Sequence, residues 1–241
     1  MSTEHTAAPA IADMSEQMQI RLEKRAKLIE SGREAYPVGL LDSEGNRVEP
    51  NHIEDLRAEY DPKLESGELK AGDETERVVH VGGRVVFVRN TGKLCFATLQ
   101  GGTEGKRIQA MLSLAEVGEE SLAEWKSLVD LGDHVFVTGR VIVSRRGELS
   151  IMVTDWKMAS KALRPMPVLH KDLNEETRVR QRYLDLMVRE EARELVKKRA
   201  LITRTVRRVL EDHGYIEVET PVLQLVHGGA TARPFRTHLN A

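Results

Sequence analysis

Residues 93–112 read KLCFATLQGGTEGKRIQAML, two alternating runs joined by a glycine-containing turn. Side chains alternate across a strand, so every second residue shares a face. In the first run Cys95, Ala97 and Leu99 form one side, and Leu94, Phe96, Thr98 and Gln100 the other. In the second, Ile108, Ala110 and Leu112 oppose Arg107, Gln109 and Met111. The wholly apolar faces are the ones that gain from leaving water, which makes Cys95 a small core residue. Phe96 and Gln109 then point outward together. An outward ring beside amide and guanidinium groups suits stacking on a nucleobase with hydrogen bonds to its edge. The other reading of that ring is packing against a neighbouring domain.

Outward from this pair, a valine-rich strand, Val78 to Val88, comes first and is expected to break at Gly82-Gly83. A helix follows the pair at 119–129, with Leu122, Trp125 and Leu128/Val129 on one face, and then strands at 133–143 and 148–156. Three strands, a helix and two strands is the order of the OB-fold, a five-stranded Greek-key barrel that binds oligonucleotides. Other small barrels share parts of that order. The charge pattern agrees with it. Segments 77–112 and 134–157 carry ten Lys/Arg against three Asp/Glu, whereas 113–133 carries six acids and Lys126 alone. Arg89 and Lys93 flank the first interstrand loop, and Arg145 and Arg146 lie in the last, the two loops expected to grip an oligonucleotide. The barrel is placed at residues 77–157.

The flanks divide as follows. Residues 1–14 are small and polar, and are expected to be a disordered tail. Residues 15–76 read as a helical extension. Ser15 caps a helix to about Ile29 with Met18, Leu22 and Ile29 on one stripe, and a shorter helix falls at His52 to Tyr60. Arg21, Lys24 and Arg25 gather on another side, either as a solvated charged face or as a basic arm on RNA phosphate. Residues 158–173, with two prolines among them, read as a linker. In 174–241, Asn174 caps a helix running to about Met187. There Arg178, Arg180 and Arg182 form either a basic patch or ion pairs. A second helix, Glu190 to His213, carries an apolar stripe of Leu195, Ile202, Val206 and Val209/Leu210. Gly214 is placed as its C′ residue. Tyr215 to Thr220 alternates as a strand, and Pro221, with no N–H to donate, stops it.

Composition limits the alternatives. A chain of 241 residues with 40% hydrophobic and 31% charged residues is ordinary for a globular protein of one or two domains. The formal net charge is −2, split into −5 up to residue 170 and +3 beyond, so any nucleic-acid surface must be local. One cysteine excludes an internal disulfide framework and a multi-cysteine zinc site. No apolar run reaches the ~18 residues that span a membrane, and no signal peptide is evident, so a cytoplasmic location is expected.

The stretch His213 to Phe235, HGYIEVETPVLQLVHGGATARPF, resembles motif 1 of the class II aminoacyl-tRNA synthetases: a helix, Gly214, an aromatic and a strand closing in Thr-Pro. Together with RQRYLDL (Arg180 to Leu186), KALRPMP (Lys161 to Pro167) and GGATARPF (Gly228 to Phe235), the resemblance is to the lysyl members. It implies an OB-fold anticodon-binding barrel followed by the start of a class II catalytic domain, an antiparallel sheet with helices, cut short. Arg89, Phe96, Gln109 and Glu148 are then the anticodon-binding residues for tRNA-Lys, although Glu148 read by itself is as well a solvated turn carboxylate. Gly214, Tyr215 and Pro221 would serve a homodimer interface. Gly228, Gly229 and Ala230 would edge the site for the substrate lysine. The family's motifs 2 and 3, which hold ATP and Mg²⁺, lie further along than these 241 residues. No catalytic residue, metal site or cofactor of its own is therefore assigned to the chain, and the chain alone is expected to form no lysyl-adenylate. A non-catalytic binder of tRNA or single-stranded nucleic acid is the alternative. A membrane-linked lysyl-transferase relative is disfavoured by the lack of a spanning segment.

Overall fold

Five strands close into a ring. The computed structural model describes residues 15–41, 45–102, 104–167, 169, 171, 173–221, 223, 233, 235 and 237–238. Strands β1 (Glu74–Thr91), β2 (Leu94–Gly101), β3 (Lys106–Ser113), β4 (His134–Val143) and β5 (Leu149–Ser160) form a closed barrel in the order β1-β2-β3-β5-β4. Its pairs are antiparallel except β3 and β5, which run parallel where Gln109 faces Ser150 and Leu112 faces Val153. Closure leaves no sheet edge to solvent. The apolar faces of β2 and β3 point inward as expected, with Cys95, Ala97, Leu99, Ile108, Ala110 and Leu112 all buried. Burial pushes the Cys95 thiol up from its ordinary value.

Glycines set the bends, although not where a break was expected. β1 runs unbroken through Gly82-Gly83. A Cβ on Gly83 would stand 2.9 Å from that of Leu99, so glycine lets β1 fold tightly over β2. At Gly139 a Cβ would collide with the Met152 carbonyl, at a slip in the β4–β5 register.

Four helices complete this part: α1 (Glu16–Glu30), α2 (Ile53–Glu65), α3 (Leu114–Val117) and α4 (Glu119–Leu128). α4 brings Leu122, Trp125 and Leu128 into the barrel core, where Trp125 meets Trp156 edge-on at 5.1 Å. α2 adds Ile53, Leu56 and Tyr60 to the same cluster.

Two expectations for the flanks are corrected. Arg21, Lys24 and Arg25 are neither a solvated face nor an arm free for RNA. Arg21 is buried and donates to the carbonyls of Ala162 (3.0 Å) and Leu131 (2.9 Å). Lys24 pairs with Asp130 at 2.5 Å, and the Arg25 guanidinium lies 5.6 Å from the Tyr36 ring. On that helix Leu28 is buried and Ile29 exposed, so the inward stripe is displaced from the one read by periodicity. The second correction concerns the linker. β5 continues to Ser160, and Lys161, 2% exposed, is fixed in the core. Its ammonium donates to Asp130 (2.6 Å), Asp133 (2.7 Å) and the Leu128 carbonyl (2.7 Å). Burial alone would push the Asp130 carboxyl up, but Lys161 and Lys24 outweigh it and hold the group below its ordinary value.

Residues 175–212 are helical: α5 (Glu175–Arg180), α6 (Arg182–Val188) and α7 (Glu190–Asp212). The single helix expected at 175–187 is two, broken at Gln181, whose φ of −114° and ψ of 57° are not helical. Asn174 caps as expected, accepting the Thr177 N–H at 2.7 Å. Arg178, Arg182 and Arg189 converge on Asp185, 1% exposed, and Arg180 pairs with Glu176. These arginines are thus engaged in ion pairs. Gly214 ends α7 at φ +84°, with Tyr215 N–H donating to the Leu210 carbonyl and Gly214 N–H to that of Glu211, a Schellman closure. Residues 215–220 form no strand, which corrects that expectation. An extended segment needs a partner for its backbone groups, and no ladder partner for it occurs among the described residues. The chain divides into two units, Met1–Arg193 and Glu194–Ala241.

Candidate nucleic-acid interface

The outer face of β1, β2 and β3, with the turn between β4 and β5, lines a groove of about 950 Å³. Arg89, Phe96, Gln109 and Glu148 all border it. The register explains why residues far apart in sequence meet there. Arg89 lies opposite Phe96, Thr98 opposite Gln109, and Gln109 opposite Ser150. Glu148 stands in the turn just before β5.

Each of the four has a defined environment. The Arg89 guanidinium sits over the Phe96 ring, 4.6 Å from its centre, so ring and cation form one stacked unit. The Ser150 hydroxyl donates to Gln109 Oε1 (3.1 Å) and lies 2.9 Å from the Glu148 carbonyl oxygen, tying β3 to the turn. Glu148 is a half-exposed turn carboxylate with fixed partners. Its Oε1 accepts from Arg57 at 2.7 Å, and its N–H donates to the Ser144 hydroxyl at 3.1 Å.

Sequence reasoning missed Arg57. It projects from α2, donates to the Arg107 carbonyl (2.8 Å) and to Asp61 (3.1 Å), and so holds Glu148 from outside the barrel. Burial works against its charge, but the hydrogen bonds to Glu148 and Asp61 raise it above the ordinary guanidinium value. Asp61 is an i+4 neighbour, but no local pattern signals the contacts to Arg107 and Glu148, which lie 50 and 91 residues away. Phe87 was missed as well, and it too lines the groove. Arg107, Arg145 and Arg146 add further positive charge beside Arg89, against Glu74 and Glu148. This arrangement attracts a polyanion, and its ring–guanidinium platform can take a planar base.

Comparison with known proteins agrees with this geometry. Residues 79–159 match the OB-fold nucleic acid binding domain family, and 174–241 match the class II (D, K and N) tRNA synthetases. The chain is 56% identical over 229 residues to a lysine–tRNA ligase of Kineococcus radiotolerans, covering 95% of this chain and 43% of that protein. It is 49% identical over 236 residues to lysine–tRNA ligase 1 of Mycobacterium tuberculosis strain H37Rv, covering 98% and 44%. The chain is a relative of the lysine–tRNA ligases. It spans less than half the length of these two. It is also 39% identical over 235 residues to a lysylphosphatidylglycerol biosynthesis bifunctional protein of Mycobacterium avium, of which it covers 18%.

Of the remaining ligase-like positions, Gly214 closes α7, and Tyr215 and Pro221 are exposed beyond it. Gly228, Gly229 and Ala230 lie outside the described residues. Among the described residues no group of three or more His, Cys, Asp or Glu side chains is placed to hold a metal ion. No helix among them is long and apolar enough to cross a membrane.

Proposed function

We propose that the groove reads the anticodon of tRNA-Lys. Its juxtaposition of Arg89, Phe96, Gln109 and Glu148 carries the reading. Phe96 with Arg89 offers the stacking surface, Gln109 offers an amide to a base edge, and Glu148, steadied by Arg57, offers a carboxylate to an exocyclic amine. Arg107, Arg145 and Arg146 attract the phosphates. Residues 174–241 would then contribute the start of the domain that joins lysine to tRNA with ATP and Mg²⁺, with Gly214, Tyr215 and Pro221 at a homodimer interface and Gly228 to Ala230 at the lysine site. The ligases are favoured over the lysylphosphatidylglycerol protein as the guide because identity to them is higher, 56% and 49% against 39%.

The test is binding of a tRNA-Lys anticodon stem-loop by the wild type and Phe96→Ala. Loss of a base–aromatic stack weakens binding roughly 5- to 150-fold. The reading also requires that a loop with a changed central base bind the wild type poorly. Equal binding of every RNA by both proteins would make the groove a generic grip on single strands and overturn the anticodon assignment.

A further inference from the structure

A slip in the β1 register places a second aromatic ring on the groove. Before it, Val79, Val81 and Val85 point into the barrel at alternate positions. If that alternation continued, Phe87 and Arg89 would point inward too. Instead the pairing with β2 shifts between Val85 and Phe87: Val85 faces Leu99, but Phe87 faces Thr98 and Arg89 faces Phe96. Val85 and Val86 are both buried, Val88 is half-buried against the core, and Phe87 is 54% exposed. One extra residue therefore turns Phe87 and Arg89 out together, onto the face that carries Phe96 and Thr98. Bulges that re-aim a side chain in this way occur next to functional sites.

We propose that Phe87 is a second base-stacking platform, taking the nucleotide adjacent in the strand to the one held at Phe96. This rests on the groove being a single-strand reader. Phe87 and Phe96 are diagonal neighbours across β1 and β2, a relation that sets side chains ~7–8 Å apart, near enough for successive bases of one strand. An exposed ring on a two-sided sheet otherwise loses by hydration what burial would gain. Here it stands in a groove with Arg89, Arg107 and Arg145, whose charge suits the phosphates on either side of the stacked bases. Aromatic platforms in series are how single-stranded nucleic acids are held with tolerance of sequence, so Phe87 adds affinity and reach while Gln109 and Glu148 add discrimination.

The experiment is an abasic scan. Stem-loops with one loop base removed at a time are titrated against the wild type, Phe87→Ala, Phe87→Leu, Phe87→Trp and Phe96→Ala. The wild type is expected to lose roughly 5- to 150-fold at two neighbouring positions. Phe87→Ala and Phe87→Leu should abolish the penalty at one position and leave the other. Phe96→Ala should do the reverse, and Phe87→Trp should retain both. Phe87→Leu keeps the apolar bulk, so loss of the ring is read without a folding defect. The proposal is overturned if both penalties persist in the Phe87 variants, or if these variants weaken every loop by one common factor. It is overturned equally if they change only concentration-dependent self-association, which would make the ring a protein contact. Failure of the anticodon reading looks different: a changed central base is tolerated, while a plain uridine oligomer still shows the paired abasic penalties.

Discussion

The barrel and the helix α7 carry the same kind of signal in sequence, and they meet opposite fates. In β2 and β3 every second residue is apolar, and each of those residues is buried. In α7 apolar residues recur at helical spacing just as clearly, yet Leu195, Ile202, Val206 and Leu210 are all exposed, Ile202 at 63%. Past Gly214 the contrast holds, with Ile216 85% exposed on a segment that was expected to pair. Periodicity reports that a face requires burial; it does not report that a partner is present. The barrel strands find their partners within the same stretch of chain and close on one another. The stripe on α7 has the pattern of a packed helix without the packing, and a contiguous apolar face of that kind marks an interaction surface.

The largest test of the contrast lies where the barrel is tied to its flanks. Lys161→Met removes the cation that Asp133, fully buried, is paired with. Breaking a buried pair by removing one partner costs about 3–5 kcal/mol, because the remaining charge stays dry and unmatched. Urea unfolding followed by the fluorescence of Trp125 and Trp156, the only two tryptophans of the chain, should show that loss. Both are buried in the core, so the signal reports the barrel. A change under about 1 kcal/mol, the range of an exposed pair, would mean that Lys161 is not part of the barrel's closed core.

Somewhat smaller is an acid effect. Burial, with the nearby Arg84 charge, pushes the half-buried His134 down to about 4. The unfolded chain takes up that proton near the ordinary value of about 6.5 and the folded barrel refuses it. Above pH 6.5 the group contributes nothing. Stability then falls as the pH drops from about 6.5 to 4, by about 1–2 kcal/mol once solvent screening of this partly exposed group is allowed for. His134→Gln should flatten this limb and leave the loss at lower pH, where Asp130, held below its ordinary value by Lys161 and Lys24, takes up its proton. Unfolding free energies at pH 7, 5.5 and 4.5 decide it, and an equal slope in both proteins would refute the assignment.

What was legible in the sequence follows the same division. The strand order and the two faces of β2 and β3 could be read directly, and with them Phe96 and Gln109 as outward residues, because alternation survives in regular pairing. The outward turn of Phe87 could not be read, since a register slip adds one residue and leaves no periodic trace. Arg57 was invisible for another reason: the acceptors that tie it to the groove, Glu148 and the Arg107 carbonyl, lie on distant segments. The mistaken reading of Arg21, Lys24 and Arg25 has the same origin. A helix wheel shows that three cations share a side, but it cannot show that carbonyls of Leu131 and Ala162 and the carboxylate of Asp130 wait opposite them.

The smallest expected effect is the sharpest discriminator. In the double variant Ile202→Ala/Val206→Ala, alanine keeps the helix, and the two side chains removed are exposed, so no cavity forms. Barrel stability read by tryptophan fluorescence should therefore stay within about 0.5 kcal/mol of the wild type, as for surface substitutions generally. Self-association measured by sedimentation should weaken, because the stripe is the apolar surface that a second copy would cover. A clear fall in barrel stability would show that the stripe supports the barrel and erase the contrast between the two regions. Unchanged barrel stability with unchanged sedimentation would leave the contrast standing and remove this stripe from the homodimer interface proposed for the ligase-like segment.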